Sequence, residues 1–230
     1  MTSRPEARMV LFLGDSHTKY FTYAARKEFL GERRTASCIV FGATARGLSN
    51  PRSQTGALLQ FRQFLREHPD RSVLLLHLGE VDCGFVIWYR AQKYAESVAR
   101  QMDQSIDAYC GFIDEIRENY DHSLIVTAAT VPTIRDNTDW GEVAHLRREV
   151  TASLVDRTRL TLDFNEALRK RCADRNILFL DITDALIDPS TGVVADRFRN
   201  PDPADHHLNK RVVSPIWVEV LNPVLTGLGA

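Results

Sequence analysis

No stretch of this sequence approaches the ~20 consecutive apolar residues that a membrane-crossing helix needs. The apolar run at 9–13 is also too short for the hydrophobic region of a signal peptide, and it leads straight into the candidate site discussed below. A cytoplasmic compartment is therefore the expectation. Neither sign of charge dominates, with 29 basic against 30 acidic side chains. Nucleic-acid and membrane-surface proteins generally carry a basic patch or tail, so neither partner is expected. Arginines at Arg33-Arg34, Arg147-Arg148 and in 169–171 read as solvated helix faces. Cysteine is scarce: Cys38, Cys83, Cys110 and Cys172 are widely scattered, and no C-x-x-C pair suggests metal binding or redox chemistry. All four are expected to be reduced, as small buried thiols usually are. Repeats, low-complexity tracts and linkers are absent as well. One domain spanning 1–230, long enough for a sizeable core, is the expectation.

What the sequence does hold is alternation. Short apolar runs at 9–13, 38–41, 73–78, 124–128 and 177–182 are continuous rather than period-two, as strands covered on both faces should be. Helical spacing fills the intervals. Tyr20, Phe21, Ala24, Ala25, Glu28 and Phe29 begin it, and Ala57, Leu58, Phe61, Phe64 and Leu65 form a clear stripe. The same spacing runs from Tyr94 to Tyr120, and again through Val143, Leu146, Val150, Leu154, Leu160, Phe164, Leu168 and Cys172. Such alternation predicts an α/β fold, a three-layer α/β/α sandwich around a five-stranded parallel sheet. In such sheets ligands sit beyond the carboxyl ends of the strands. The segments to inspect are then 14–18, 42–51, 79–90, 130–141 and 183–207, with 188–192 a turn.

Two of these segments carry chemistry. The first strand ends in Gly14-Asp15-Ser16-His17, and Ala204-Asp205-His206-His207-Leu208-Asn209 precedes the last helical stretch. Gly14 allows a sharp exit from the strand, which puts Ser16 at a helix start, where unpaired N–H groups and the positive end of the dipole face a bound group. A serine or aspartate there also serves as an ordinary helix cap. A serine hydroxyl becomes a nucleophile once a base takes its proton and a third group orients that base. The two ends of the chain supply all three residue types.

Gly14-Asp15-Ser16, a glycine in the second loop, Gly79-Glu80-Val81-Asp82 in the third and a histidine near the C-terminus together resemble the SGNH/GDSL hydrolase superfamily over nearly the whole chain. No Gly-x-Ser-x-Gly elbow is present, so the larger α/β-hydrolase fold is not expected. The resemblance implies a flavodoxin-like fold and acyl-ester hydrolysis or transfer, often of acetyl groups on sugars. It implies Ser16 as nucleophile, an acyl-enzyme, and no cofactor or metal ion. It further implies an oxyanion hole from the N–H groups of Ser16 and Gly47, with Gly42 the competing glycine.

Two departures stand out. Val81 occupies the place of the superfamily's oxyanion asparagine, and loss of one such donor typically costs ~10²–10³ in rate. Glu80 cannot donate as a carboxylate, so it is expected to bond to backbone or arginine. No strict Asp-x-x-His exists: His207 is the expected base and Asp205 the orienting acid, with His206 and Asp202 as alternatives. Asp15, His17, Glu80, Trp88, Tyr89 and Arg135 are the expected pocket residues. The aromatic pair would stack on a sugar or cover an acyl chain, or else pack under the following helix, and Arg135 would meet an anionic group. Three other functions share these residues: an O-acyltransferase in polysaccharide or natural-product assembly, a glycan- or acyl-binding module with little turnover, and a manganese phosphoesterase, which Asp205-His206-His207 resembles. A small-molecule or glycan ester is the expected partner; the sequence leaves the oligomeric state open.

Overall fold

The strand β1 (Val10–Gly14) is buried along its whole length, and so is β3 (Val73–His77) beside it. Both are short and, His77 at the end of β3 aside, apolar, as strands covered on both faces generally are. In the computed structural model, which describes residues 8–137 and 150–230, they lie at the centre of a five-stranded sheet. β2 (Thr35–Ile39), β4 (Ser123–Thr127) and β5 (Leu178–Leu180) complete it in the order β2-β1-β3-β4-β5, every pairing parallel. That is the flavodoxin-like order, with the chain reversing direction across the sheet between β1 and β3. The register places Gly14 opposite both Ile39 and His77, so three strand ends converge there.

Alternate residues of each strand feed opposite cores. Leu11, Leu13, Leu74, Leu76 and Val126 pack with Phe61, Ile113 and Phe164 from helices α2 (Ala57–Glu67), α4 (Val98–Asn119) and α5 (Leu154–Ala173). Val10, Phe12, Val73, Leu75 and Ile125 face the other way, toward Tyr20 and Phe21 of α1 (Lys19–Arg26) and Trp217, Leu221 and Leu225 of α7 (Lys210–Gly227). The helix α3 (Ile87–Tyr94) precedes α4. Among the described residues no helix is long and apolar enough to cross a membrane, and none of the cysteines is in a disulfide.

Three expectations are corrected. β2 begins at Thr35, three residues before the apolar run at 38–41. It is an edge strand with residues exposed along its length, so the rule of continuous apolar burial does not locate it. The segment 79–90 is not a loop: a π-helical turn, Asp82–Val86, runs directly into α3. The segment 183–207 carries the short helix α6 (Thr183–Leu186) and the hairpin β6 (Ile187–Asp188)–β7 (Val193–Val194), closed by the predicted turn. Val143, Leu146 and Arg147-Arg148 lie outside the described residues.

Candidate active site

Ser16 opens a one-turn 3-10 helix, Ser16–Thr18, at the end of β1, with 5% of its surface exposed. The turn is fixed from two sides. The Asp15 N–H donates to the His77 carbonyl at 3.2 Å, and the Asp15 carboxylate accepts the His17 N–H at 2.8 Å. Gly14 is required for space rather than for an unusual φ: a Cβ there would lie 2.0 Å from the His77 carbonyl oxygen and 2.5 Å from Thr18 Oγ1. The turn can approach β3 this closely only without a side chain. Gly14→Ala should therefore destabilise the fold by at least the ~1–3 kcal/mol of an overpacked core, lowering the thermal midpoint by several degrees. An unchanged midpoint in a calorimetric scan would contradict this role for Gly14.

The C-terminal block comes to meet Ser16. His207 Nε2 lies 2.7 Å from Ser16 Oγ, and His207 Nδ1 lies 2.5 Å from Asp205 Oδ1. The same Asp205 oxygen accepts the His207 backbone N–H at 3.0 Å, so the two-residue spacing closes a small ring that aims the imidazole. Asn200 Nδ2 donates to the second Asp205 oxygen at 2.8 Å. A bridge between Arg199 and Leu208 and the bond from Asn209 N–H to the Phe198 carbonyl, 2.7 Å, tie the base of this segment to the start of α7. The loop after β4 secures its tip: Thr133 Oγ1 donates to the His206 carbonyl, and Arg199 to the Thr133 carbonyl.

Of the alternatives, Asp202 holds a turn instead, accepting the Ala204 N–H at 2.9 Å. The His206 ring packs on His207 with centroids 4.2 Å apart, and it is His207, not His206, that contacts Ser16 Oγ.

The third block bonds to the second. Asp82 is fully buried, and its carboxylate accepts the Ala45 N–H at 2.7 Å and the Arg46 N–H at 2.9 Å. Burial pushes its pKa up to about 6, against the pull of those two N–H groups. Gly47 requires a correction as an oxyanion donor. Its N–H is committed to Thr44, 2.8 Å from the hydroxyl and 3.1 Å from the carbonyl. The competing Gly42 lies in an exposed turn with φ +70°. Val81 immediately precedes the π-helical turn, and Glu80 is buried beside it.

The predicted pocket residues divide. Asp15 and His17 are buried beneath Ser16, 1% exposed each, where they build the turn. Trp88 packs against the core, its indole N–H donating to the Cys83 carbonyl at 2.8 Å, which is the packing role rather than a sugar platform. Tyr89 stacks on Phe85 with centroids 5.5 Å apart. Arg135 pairs with Asp196 at 2.7 Å.

Sequence reasoning missed Asn200, which sits in a Pro- and Asp-rich run that reads as a plain turn, and the role of Asp82, whose motif it noted without assigning a task. It also missed Phe41, 64% exposed in the turn that follows β2, with the Lys19 ammonium 4.3 Å over its ring.

The electrostatics keep His207 neutral. Burial lowers the His207 pKa, the nearby His17 lowers it further, and Asp205 only partly offsets both. Burial raises that of Asp205, but the backbone N–H and ring of His207 outweigh it, and the net shift is downward. An ionised Asp205 and a neutral His207 follow at neutral pH, the protonation pattern of a Ser-His-Asp triad.

No protein-family model matches the sequence, and no curated protein matches it. Solved structures do resemble it. A candidate acylhydrolase of Bacteroides fragilis NCTC 9343 superposes with a TM-score of 0.69 at 12% identity, over 99% of this chain and 90% of that one. A GDSL-like lipase of Bacteroides thetaiotaomicron VPI-5482 gives 0.65 at 12% identity, over 96% and 89%. An acetyl xylan esterase, AlAXEase, gives 0.56 at 12% identity, over 94% and 98%. The fold is thus the one these ester-cleaving proteins use.

Proposed function

We propose that the chain is a serine ester hydrolase acting on short acyl esters through an acyl-enzyme on Ser16. The observation that carries this reading is the unbroken line from Asp205 through His207 to Ser16, at 2.5 and 2.7 Å. His207 Nε2 takes the Ser16 proton as Oγ bonds to the ester carbonyl carbon. The C–O bond to the alcohol then breaks, and the departing oxygen takes that proton from His207. Water repeats the sequence: His207 takes its proton, its oxygen attacks the acyl carbon, and Ser16 Oγ leaves with the proton returned. The Ser16 N–H, first in its helix and without an intrahelical acceptor, is the oxyanion donor. A short acyl group on a carbohydrate is the substrate class, supported by the fold shared with an acetyl xylan esterase.

Product analysis tests this reading. Incubation with acetyl and longer acyl esters should release free acid, with acetyl preferred. Release of none would contradict the proposal, and acyl transfer to an added sugar hydroxyl in place of acid release would make the enzyme a transferase. The pH profile is a further prediction. Because His207 must be neutral to act, kcat/KM should fall on the acid side with a midpoint below the ordinary imidazole value of 6.5. Asp205→Asn removes the group that holds this pKa up, so the midpoint should move lower still while the plateau drops by about 10²–10⁴. A midpoint above 6.5 in the wild type would contradict the assignment of His207 as base.

A second reading is favoured by one observation, that the Gly47 N–H is already given to Thr44, and it agrees with the sequence resemblance, which sets Val81 in the place of the oxyanion asparagine. A site with a single donor could bind acyl groups while turning them over slowly. A burst of one acyl group per chain followed by a very slow steady state would identify it.

A further inference from the structure

Three imidazoles meet beside Ser16. One ring nitrogen from each of His17, His206 and His207 lies within 4.8 Å of the other two. Ring centroids of His17 and His207 are 4.7 Å apart, and those of His206 and His207 4.2 Å. The ester chemistry above uses His207 alone and gives the other two rings no task.

Imidazole nitrogen suits zinc, copper and nickel among the divalent ions. Zinc holds such nitrogens at ~2.0–2.1 Å in a tetrahedral arrangement, which sets them roughly 3.4 Å from one another. No separation here needs to close by more than about 1.4 Å to reach that value. His206 is partly exposed, whereas His17 is buried.

One outer partner is already seated. Asp205 lies 2.5 Å from His207 Nδ1, whereas Asp15 meets His17 Nδ1 only at ion-pair distance, 3.3 Å, its Oδ1 accepting the His17 backbone N–H. A carboxylate at Nδ1 fixes the tautomer whose Nε2 carries the lone pair, the usual support of a metal-bound histidine.

We propose that His17, His206 and His207 form a zinc-class site whose occupation switches off the Ser16–His207 pair. The switching part rests on the hydrolase reading; the binding part does not. Inhibition follows from competition for one lone pair. A neutral imidazole has a single acceptor nitrogen, and Nε2 of His207 now uses it for the Ser16 hydroxyl at 2.7 Å. An ion bound at that nitrogen leaves Ser16 protonated, and a chelator returns the base.

Calorimetric titration of the EDTA-dialysed full chain with zinc chloride tests the site, with Co²⁺ absorption as a second readout. The wild type should bind one ion. His206→Gln should weaken binding by at least the ~10–100-fold that outer partners alone are worth, with a matching loss of the Co²⁺ spectrum. Ser16→Ala, which removes the competing hydroxyl but no ligand, should bind as tightly or more so. Absence of wild-type binding, or equal affinity in His206→Gln, would overturn the site. In parallel, hydrolysis by the wild type should fall in step with zinc occupancy and recover on chelation; full occupancy with undiminished hydrolysis would overturn the switch. Zinc binding by a chain that hydrolyses no ester would uphold the site and contradict the hydrolase reading instead.

Discussion

Ser16→Ala should lower kcat/KM for ester hydrolysis by on the order of 10⁴-fold or more, because it removes the atom that forms the acyl-enzyme. The variant should fold normally. Ser16 Oγ makes its bond to His207, while the turn is held by Asp15 through the His17 N–H and by the Asp15 N–H on His77. Its thermal midpoint should stay within about 2–4 °C of the wild type, since losing one hydroxyl bond is worth only about 1 kcal/mol. A large loss of activity with intact stability identifies a nucleophile, since the cap of this turn is Asp15. Retention of most of the activity would show that Ser16 is not the nucleophile.

His207→Ala should cost a comparable factor, again on the order of 10⁴ or more, and the double variant should be no worse than either single one. The physical reason is that nucleophile and base act as a unit: without the imidazole the hydroxyl keeps its proton, and without the hydroxyl the imidazole has nothing to activate. Steady-state kinetics on the two single variants and the double variant check this. Independent, multiplying losses would show that the residues do not share one step. His206→Ala supplies the control, since its ring packs beside His207 while its carbonyl is held by Thr133. If that variant lost activity as completely as His207→Ala, the assignment of the base would be wrong.

Much of this was legible in the sequence because burial writes a plain pattern. The buried β1, β3 and β4 read as short apolar runs, and alternation with helices implied the parallel order. β2 reads as starting three residues late because an edge strand need not be apolar, so its opening residues Thr35 to Ser37 lie outside the apolar run at 38–41. The segment 79–90 escaped because a π-helical turn has no recognisable period, and its aromatic residues pass for a ligand loop until Trp88 is seen bonded to Cys83.

At the site, Ser16, His207 and Asp205 were visible as residue types at the ends of elements. The supporting bonds were not, because they depend on where a backbone N–H points. Gly47 illustrates this: a glycine in the expected block, its N–H turned onto Thr44. Asn200 and Asp82 illustrate the converse, each acting through one or two hydrogen bonds that no spacing announces.

The central claim is that Ser16 is a nucleophile activated by His207, and covalent labelling tests it most directly. Treatment with a fluorophosphonate, followed by digestion and mass spectrometry, should place one phosphonyl group per chain on Ser16, and His207→Ala should remain unlabelled under the same conditions. An unmodified Ser16 in the wild type, or labelling that proceeds undiminished without His207, would contradict the account.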